Sequence, residues 1–440
     1  MEDQSATPPT KSAVLNSYRR WWTTARTSFF WILLIAFSVR VATILISHSY
    51  KFRTNDDNFS FGWEMGRVGR ALAAGEGFSS PFNQRTGPTA WEPPLYPFLI
   101  AGVFKLFGIY TQASALVLLI INSIFSTLTC IPVFLIGRRI FGERVAVWSV
   151  WTWALLPYVT YWCTRWVWET SLSTMLLTIL VWLTLVMEDR DGIKPWARYG
   201  MLWGIAALTN TAVLAFLPVS GLWIWYHRWK KGRRSLGGIV LASIIFFALI
   251  TPWLYRNYRT FGQVIFLRSN FGAELRLGNG PGADGTWMEY LHPTQNVYQM
   301  RRYVQMGELA YVASRKEEAV EFIREDYTRF LGLDVKRFIY YWAGLPRLSQ
   351  IPGLAQVKNS LFLTTSVLCF WGMGRALRKR KPAAWLLFLL LLFYPIVYYC
   401  VFPHPRYRHP IDPEIGMLGV FLISEIENKK KAAEVPPPNH

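Results

Sequence analysis

Residues 60–82 read SFGWEMGRVGRALAAGEGFSSPF and follow the first long apolar run of the chain. Their apolar residues recur at helical spacing until the glycines at the end of the stretch, where we expect the helix to stop. Glu64 lies beside the apolar face of this helix, and Arg67 and Arg70 lie opposite it. The pattern predicts a helix on the membrane surface, with the Glu64 carboxylate at the border between lipid and water.

Composition places this stretch in a membrane protein. The chain has 440 residues, of which 52% are hydrophobic, 16% are aromatic and only 17% are charged. Its apolar runs of about 17–25 residues are long enough to cross a hydrocarbon core of about 30 Å. We therefore predict an all-α, polytopic membrane protein with about 10 transmembrane helices. The predicted spans lie near 28–48, 113–137, 144–163, 167–187, 198–211, 212–227, 235–253, 357–375, 383–402 and 411–424.

The net charge of +20 has a topological explanation. Most basic residues form short clusters between the apolar runs, such as GRRIFGER, HRWKKGRR and RALRKRK. This pattern is typical of cytoplasmic loops in membrane proteins. It argues against a nucleic-acid partner and places both tails, residues 1–27 and 425–440, in the cytoplasm.

The same assignment of loops to the cytoplasmic and outer sides divides the chain into parts. A transmembrane module over 28–253 contains a long first outer loop, 49–112. A second, small and mostly helical outer region covers 254–356, and the last transmembrane helices lie within 357–424. The first outer loop is predicted to consist largely of helices close to the membrane surface.

The apolar segment 93–108 is predicted to lie on or dip into the outer face. Counting it as a span would place GRRIFGER and HRWKKGRR outside. The alternative is that 199–226 crosses the membrane only once, but 28 residues at about 1.5 Å each are much too long for an upright span.

Three acids on the outer side could carry chemistry. Glu64 is the first, and a carboxylate at a membrane border can act as a base towards a hydroxyl or an amine. Glu92 precedes a double proline in the same loop, and Glu169 lies just inside the outer end of a span, near Arg165. A carboxylate there needs a partner or a wet cavity. Each acid could equally be a structural residue.

Arginines converge on the same face. Arg256 in PWLYRNYRTFG, and Arg406 and Arg408 in HPRYRHP, are predicted to lie outside, as is Tyr407. Guanidinium groups bind phosphate bidentately, so these arginines, together with Arg165, suit a lipid phosphate, and Glu92 and Tyr407 are predicted to lie in the same substrate site.

The remaining patterns point to no other chemistry. His292, His404 and His409 are predicted to lie on the outer side, and His404 and His409 are interpreted as local structure rather than ligands. The four cysteines show no metal-ligand spacing. The acids are too far apart in sequence for a recognisable metal motif, so no metal ligands are assigned. A divalent metal between them stays open. ATP-driven pumping and serine or zinc hydrolysis lack their motifs.

Taken in order, these pieces resemble the GT-C superfamily of polytopic glycosyltransferases. Within it, the chain is similar to bacterial members of the dolichyl-phosphate-mannose protein mannosyltransferase and lipid A aminoarabinose transferase family, glycosyltransferase family 39. The matching pieces are WEMGRVGRALAAGEGFSSPF, PPLYPFLIAGVFKLFG, GRRIFGERVA, WETSL, PWLYRNYRTFG with GNGP, and RYRHPIDPE.

The resemblance implies an inverting transfer of a sugar from a polyprenyl phosphate to an acceptor at the outer face of the cell membrane. It implies a first-loop carboxylate as base, matched by Glu64, with Glu169 as the second outer acid. Arg256 and Arg408 match positions on the phosphate side. No further cofactor is certain, and the acceptor can be a protein, a lipid or a glycan.

Two departures qualify this resemblance. Many relatives carry an Asp in the first loop, so Asp57 in NDDNFSFGWE rivals Glu64 as the base. Aminoarabinose transferases carry a lysine after this glutamate, whereas Glu92 here is followed directly by Pro93. The missing lysine puts lipid A as the acceptor, and aminoarabinose as the donor, in doubt. Two other functions stay open: a flippase or transporter for lipid-linked sugars, and a degenerate transferase that only binds lipid or assists assembly. The few charges within the spans favour a surface reaction.

Overall fold

The structure is a computed structural model that describes residues 29–52, 58–346 and 352–433. These residues fold into helices joined by short connections, and a single isolated β-bridge, between Ser79 and Pro88, is the only β-pairing in this part of the chain. The predicted all-helical class is confirmed.

The helices follow one another along the whole described chain. They are α1 Phe29–Ile46, α2 Glu64–Ala73, α3 Leu95–Phe107, α4 Gln112–Leu128, α5 Cys130–Phe141, α6 Glu143–Leu155, α7 Pro157–Arg165, α8 Thr170–Met187, α9 Ile193–Thr209, α10 Leu217–Lys230, α11 Leu236–Phe261, α12 Phe271–Gly278, α13 Val297–Met306, α14 Glu308–Glu325, α15 Tyr327–Ala343, α16 Pro352–Arg378, α17 Ala384–Phe393, α18 Ile396–Cys400, α19 Pro405–Arg408 and α20 Asp412–Ala433. Short 3₁₀ turns cover Phe59–Phe61, Thr211–Phe216, Glu289–Leu291 and His409–Ile411.

The apolar runs form the helices that the sequence predicts. Within the described residues, five helical stretches are long and apolar enough to cross a membrane: α1, α4 together with α5, α8, α11 and the Val357–Arg378 part of α16. Shorter apolar helices cover Leu95–Phe107 and Ala384–Cys400. Every predicted span contains at least one helix, which fits a multi-pass membrane protein, while the side of the membrane on which each loop lies stays a prediction.

The predicted break between two spans near residue 210 is present. Helix α9 ends at Thr209, and Asn210 has an extended backbone with φ −153° and ψ 115°. The Asn210 side chain accepts a hydrogen bond of 2.9 Å from the backbone N–H of Ala212, which starts the 3₁₀ turn before α10. The chain therefore reverses here instead of crossing in one long helix, and the turn reaches the site described below.

A tight turn ties the first outer loop to the segment before α8. Gly62 has φ +89°, and a Cβ atom there would lie 2.3 Å from the carbonyl oxygen of Val167. Only glycine fits this close approach. The backbone N–H of Val167 also donates to the carbonyl of Ser60 at 3.0 Å. The turn therefore brings the start of α2 next to Glu169.

The prediction that α2 lies exposed at the membrane surface is wrong. Glu64 is only 8% exposed and Arg67 only 3%. The second outer region covers this helix, and Arg67 Nη1 donates to Thr294 Oγ1 at 3.3 Å. The helical pattern identified α2 correctly, but it carries no information about a distant segment that packs over the polar face.

Candidate functional site

The first outer loop, the start of α8 and the second outer region enclose a cavity of about 310 Å³. Its lining combines aromatic rings, carboxylates and arginines from segments far apart in sequence. The charged, histidine and amide side chains on its wall are Glu64, Glu92, Glu169, Asn210, Arg268, Asn270, Glu274, His292, His404 and Arg406. Of the residues predicted from sequence, Glu64, Glu92, Glu169, Arg406 and Tyr407 therefore lie together.

Glu64 pairs with a histidine of the second outer region. His292 Nε2 lies 3.0 Å from Glu64 Oε1, and His292 Nδ1 accepts from the backbone N–H of Thr294 at 3.2 Å. Because Nδ1 is an acceptor, the proton of a neutral imidazole resides on Nε2, which donates to the carboxylate. Burial alone would raise the pKa of Glu64, but the hydrogen bond from His292 and the positive charge of a protonated His292 lower it, with a smaller effect from the charge of Arg67. Glu64 is thus held as an oriented carboxylate.

The backbone next to Glu64 is strained. Trp63 has φ +47° and ψ −108°, a conformation that bulky residues rarely adopt. Its ring stacks on the His292 ring, with 4.6 Å between centroids and 19° between planes. Strained backbone of this kind persists only where its surroundings enforce it, and it occurs preferentially at functional sites.

The second acid of the cavity has unused hydrogen-bonding capacity. Asn210 Nδ2 donates to Glu169 Oε1 at 3.2 Å, whereas Glu169 Oε2 is buried and has no hydrogen-bond partner among the described residues. A buried carboxylate oxygen without a donor is costly. Glu169 is therefore placed to accept a hydrogen bond from a molecule in the cavity.

Two arginines supply the positive charge of the cavity. The Arg406 guanidinium lies 3.8 Å from the centre of the Trp168 ring, and its Nε and Nη1 atoms are buried without a hydrogen-bond partner in the described chain. Arg268 Nε donates to Asn270, and Arg268 Nη2 lies 3.9 Å from Glu274 Oε1. Arg406 thus has free donors, which suit an anion.

Glu92 and Glu274 surround Arg268. Burial raises the pKa of Glu92 to about 8, although the charge of Arg268 opposes the shift, and the acids Glu64 and Glu169 add to it. Burial likewise raises the pKa of Glu274, against the effect of Arg268. Near neutral pH, Glu92 is therefore a carboxylic acid that can donate a hydrogen bond.

A further carboxylate, Glu308, joins the two loops that carry Glu92 and Arg268. It accepts hydrogen bonds from the Thr89 hydroxyl, from the Ala90 N–H at 2.7 Å, from Ser269 Oγ at 2.7 Å and from Tyr303 Oη at 2.8 Å. Since Glu308 starts α14, its charge also lies at a favourable helix end. These bonds, together with the 2.8 Å hydrogen bond from the Ser269 N–H to the Ala90 carbonyl, hold the two loops against each other in the cavity wall.

The other predicted arginines do not line the cavity. Arg165 is exposed at the end of α7. Arg256 donates to the carbonyls of Thr89 and Phe78, at 2.6 Å and 2.8 Å, and so holds the first outer loop. Arg408 is buried. Its partners are Phe362, Thr365, Ser366 and Asp412. Asp57, the rival base, lies outside the described residues.

Sequence reasoning missed His292, Arg268, Glu274 and Asn210 as cavity residues. The sequence places His292 on the outer side without indicating a role for it, and the stretch RSNFGAELRLGNGPGADGTW predicts a Gly/Asn-rich loop. The one available signal was the density of charged and amide side chains in RSNFGAEL. His404 has the local role that was predicted, because its Nδ1 accepts from the Arg406 backbone N–H and caps α19. Its pKa is lowered to about 3 by burial and by the charge of Arg406.

The part of the chain that the structure describes contains no preformed metal-binding cluster. No group of three or more His, Cys, Asp or Glu side chains there is arranged to hold a metal ion.

Comparison with known proteins gives the fold a family context. Residues 91–255, less than half of the chain, match the family described as dolichyl-phosphate-mannose-protein mannosyltransferase. The archaeal oligosaccharyltransferase from Archaeoglobus fulgidus, tethered with an acceptor peptide containing the NVT sequon via a disulfide bond, has a TM-score of 0.55 and 14% identity. The match covers 95% of this chain and 51% of that one. The chain has a GT-C-type fold.

Two further solved structures are similar to this GT-C-type protein. Archaeal oligosaccharyltransferase AglB from Archaeoglobus fulgidus, in complex with an inhibitory peptide and a dolichol-phosphate, has a TM-score of 0.50 and 12% identity, over 96% of this chain and 53% of that one. ArnT from Cupriavidus metallidurans, bound to undecaprenyl phosphate, has a TM-score of 0.40 and 12% identity, over 93% and 82%. The chain spans about half the length of the oligosaccharyltransferase. No curated protein sequence matches the chain.

Proposed function

We propose that this GT-C-type protein is an inverting glycosyltransferase that moves a sugar from a polyprenyl-phosphate donor to an acceptor at the outer face of the cell membrane. The observation that carries the proposal is the pairing, in one cavity, of an oriented carboxylate and a guanidinium with free donors. These are Glu64, held by His292, and Arg406, whose Nε and Nη1 atoms lack partners among the described residues.

In the proposed reaction Glu64 acts on the acceptor and Arg406 acts on the leaving phosphate. The acceptor oxygen or nitrogen attacks the anomeric carbon and gives its proton to Glu64. At the same carbon the bond to the phosphate oxygen breaks, and the bonding electrons leave with the phosphate. Arg406 and Arg268 stabilise the charge that develops on that phosphate, which is the main electrostatic contribution to the rate. Glu169 and the neutral Glu92 are placed to bind sugar or acceptor hydroxyl groups.

The similarity to the mannosyltransferase family and the dolichol-phosphate in the AglB complex support a lipid-phosphate donor. Of the arginines that the sequence suggested for the phosphate, this proposal retains Arg406, adds Arg268 and leaves out Arg256 and Arg408. Arg256 and Arg408 are engaged elsewhere by backbone and side-chain partners.

The test is a single-turnover assay in nanodiscs. The protein receives a panel of radiolabelled polyprenyl-phosphate sugars, with membrane extract as the acceptor. We expect transfer from one donor and at least about a hundredfold loss in Glu64→Gln, the scale of losing a general base. Glu317→Gln, at an exposed position on α14, is the matched control and should keep full activity.

Other results would replace the proposal or part of it. Transfer that survives in Glu64→Gln moves the base to Glu169 or Asp57. Labelled lipid that crosses the bilayer while no donor yields product indicates a transporter of lipid-linked sugars instead.

A further inference from the structure

Helix α15, in the second outer region, has a buried face and, on the opposite side, an exposed apolar face. One face packs against the protein, with Leu333, Arg337 and Tyr341 buried. The other face carries large apolar side chains that are each at least 47% exposed. We name this second face the outer stripe. It consists of Tyr327, Leu331, Val335, Phe338 and Ile339.

The outer stripe is unlike the surface of the preceding helix. On α14 the exposed positions are mostly charged, for example Lys316, Glu317 and Arg324. The exposed residues of α14 are mostly charged, whereas those on the outer stripe of α15, from Tyr327 onward, are apolar. A contiguous apolar strip on the surface of a protein marks contact with an apolar partner.

The C-terminal end of α15 lies at the level of a membrane-crossing helix. The Trp342 ring packs on Phe370 of α16, with 4.7 Å between centroids, and the Trp342 carbonyl accepts a hydrogen bond from Ser366. Phe370 and its neighbour Trp371 are 45% and 59% exposed on the apolar part of α16. The end of the helix that carries the outer stripe therefore packs against a helix with exposed apolar side chains that is long and apolar enough to cross a membrane.

The charges beside the outer stripe suit lipid headgroups. On a helical wheel Lys336 and Arg329 flank the stripe on one side, and both are exposed. Arg329 is engaged within the protein, because it lies 3.7 Å from Glu325 and donates to the Phe322 carbonyl, so Lys336 supplies the basic edge. The acid on the other side, Asp334, is neutralised by Arg337 at 3.0 Å. An amphipathic helix with basic residues at its apolar edge is typical of helices that lie in the membrane interface.

We propose that the outer stripe of α15 is a lipid-binding surface embedded in the outer leaflet, with Lys336 at the level of anionic headgroups. The occupant is the bilayer itself, and the inference does not depend on the proposed transfer reaction.

This surface lies directly behind one wall of the cavity. Arg337 of α15 donates to the carbonyls of Tyr399 and Cys400, both at 3.0 Å, and to the carbonyl of Gly278 at 2.6 Å. The neighbouring residues Tyr398 and Val401 line the cavity. A bilayer that holds α15 in place therefore also holds this wall.

The test measures whether single nitroxide labels on the outer stripe are surrounded by lipid or by water. Leu331→Cys and Val335→Cys are labelled in nanodiscs that contain anionic lipid, in a Cys400→Ser background, since Cys130, Cys163 and Cys369 are buried. Collision rates with oxygen, which partitions into lipid, are compared with those of a water-soluble nickel chelate. Val367→Cys on α16 is the lipid-facing reference and Glu317→Cys on α14 the water-facing one.

We expect the oxygen-to-nickel ratio at 331 and 335 to match that at 367 and to exceed that at 317 at least about fivefold, as for an apolar helix face in lipid. A ratio equal to that at 317 would show that the stripe faces water, which overturns the proposal. Low collision rates with both reagents would show that protein covers the stripe, and this also overturns it. Spin–spin broadening would then identify a second copy as the cover. Since no step of the test requires sugar transfer, its failure is distinct from failure of the proposed function.

Discussion

His292 Nε2 lies 3.0 Å from Glu64 Oε1, so a histidine of the second outer region holds the carboxylate of the first outer loop. The contact joins two of the chain segments that enclose the cavity. It also sets the protonation of Glu64, because a donor beside a buried carboxylate stabilises the ionised form. The pair therefore links the assembly of the site to its chemistry.

Removing the donor should shift the pH dependence of transfer. His292→Phe keeps a ring to stack on Trp63 but cannot donate, so the pKa of Glu64 should rise. Since the base must be ionised, the acidic limb of the kcat/KM profile should move up by about one to two pH units, the equivalent of a hydrogen bond of about 1.5–3 kcal/mol to a charged group.

His292→Gln, which retains an N–H donor, should move the limb less. His48→Phe at an exposed position is the control and should leave the profile unchanged. An unshifted acidic limb in His292→Phe would contradict the assignment of Glu64 as the base.

Arg406 should be required for binding the lipid phosphate. Arg406→Ala removes the guanidinium with unused donors, and kcat/KM for the donor should fall roughly 10- to 100-fold, the loss expected for charge-assisted hydrogen bonds of about 1.5–3 kcal/mol. Arg406→Lys should recover little, because an ammonium lacks the planar fork that binds phosphate and stacks on Trp168.

Thermal stabilisation by polyprenyl phosphate, measured in detergent, reports this binding directly. Wild type and Arg165→Ala, whose exposed side chain lies away from the cavity, should both be stabilised. Equal stabilisation of Arg406→Ala would remove Arg406 from the phosphate site.

The different orientations of Arg406 and Arg408 follow from helix geometry. Both lie in α19, two residues apart, and side chains two residues apart on a helix point to nearly opposite sides. Only one of them can face the cavity. The sequence predicts that the HPRYRHP motif contributes an arginine, but the motif does not say which one, since that depends on how the short helix packs.

The outer acids were predictable for a different reason. Glu64, Glu92 and Glu169 are isolated charges beside apolar or proline-rich segments. An ionised carboxylate is costly there unless it has a partner or a function. His292 and Arg268 lie in a region without apolar periodicity, so nothing in the local pattern indicates their direction. Their place in the site depends on long-range folding of the outer region over α2.

Arg408 should be a stability residue rather than a phosphate ligand. Its guanidinium donates to Asp412 at 3.0 Å, to Ser366 at 2.8 Å and to Thr365 at 2.9 Å. Arg408→Ala leaves the buried Asp412 carboxylate with His409, at 3.2 Å, as its remaining side-chain partner, and should lower the free energy of unfolding by up to about 3–5 kcal/mol. Arg406→Ala should lower it much less.

Denaturation monitored by circular dichroism in mixed micelles measures the difference. The double variant Arg408→Ala with Asp412→Asn should regain part of the loss, because no charge is then left without its partner. A stable Arg408→Ala protein that fails to bind polyprenyl phosphate would restore the role in phosphate binding that the sequence suggested.

Glu308 should control the spacing of the loops that carry Glu92 and Arg268. Glu308→Ala leaves the donors of Ala90, Ser269 and Tyr303 unmatched. Amide hydrogen exchange should then increase in both loops, while the amides of α8 stay protected. Glu317→Ala, on the exposed side of the same helix, is the control. Unchanged exchange around Ala90 and Ser269 would show that other contacts hold the loops.

Glu92 should make the protein less stable as the pH rises. Its pKa of about 8 in the folded state lies well above the ordinary value of 4.5, because burial disfavours the charged form. Between these two values the folded protein retains a proton that the unfolded chain has lost. Stability should therefore fall with increasing pH across that window, by at most about 1.4 kcal/mol per pH unit.

Glu92→Gln is neutral at every pH and should remove this slope. We expect its Tm in detergent to exceed that of wild type increasingly from about pH 6 to about pH 8, and the two proteins to converge towards pH 5, where Glu92 is protonated in the folded state. Glu143→Gln, at an exposed position, should follow wild type throughout. A Glu92→Gln protein whose Tm falls in parallel with wild type over the same range would show that Glu92 is ionised in the folded state, held by Arg268 instead of neutral beside the other acids.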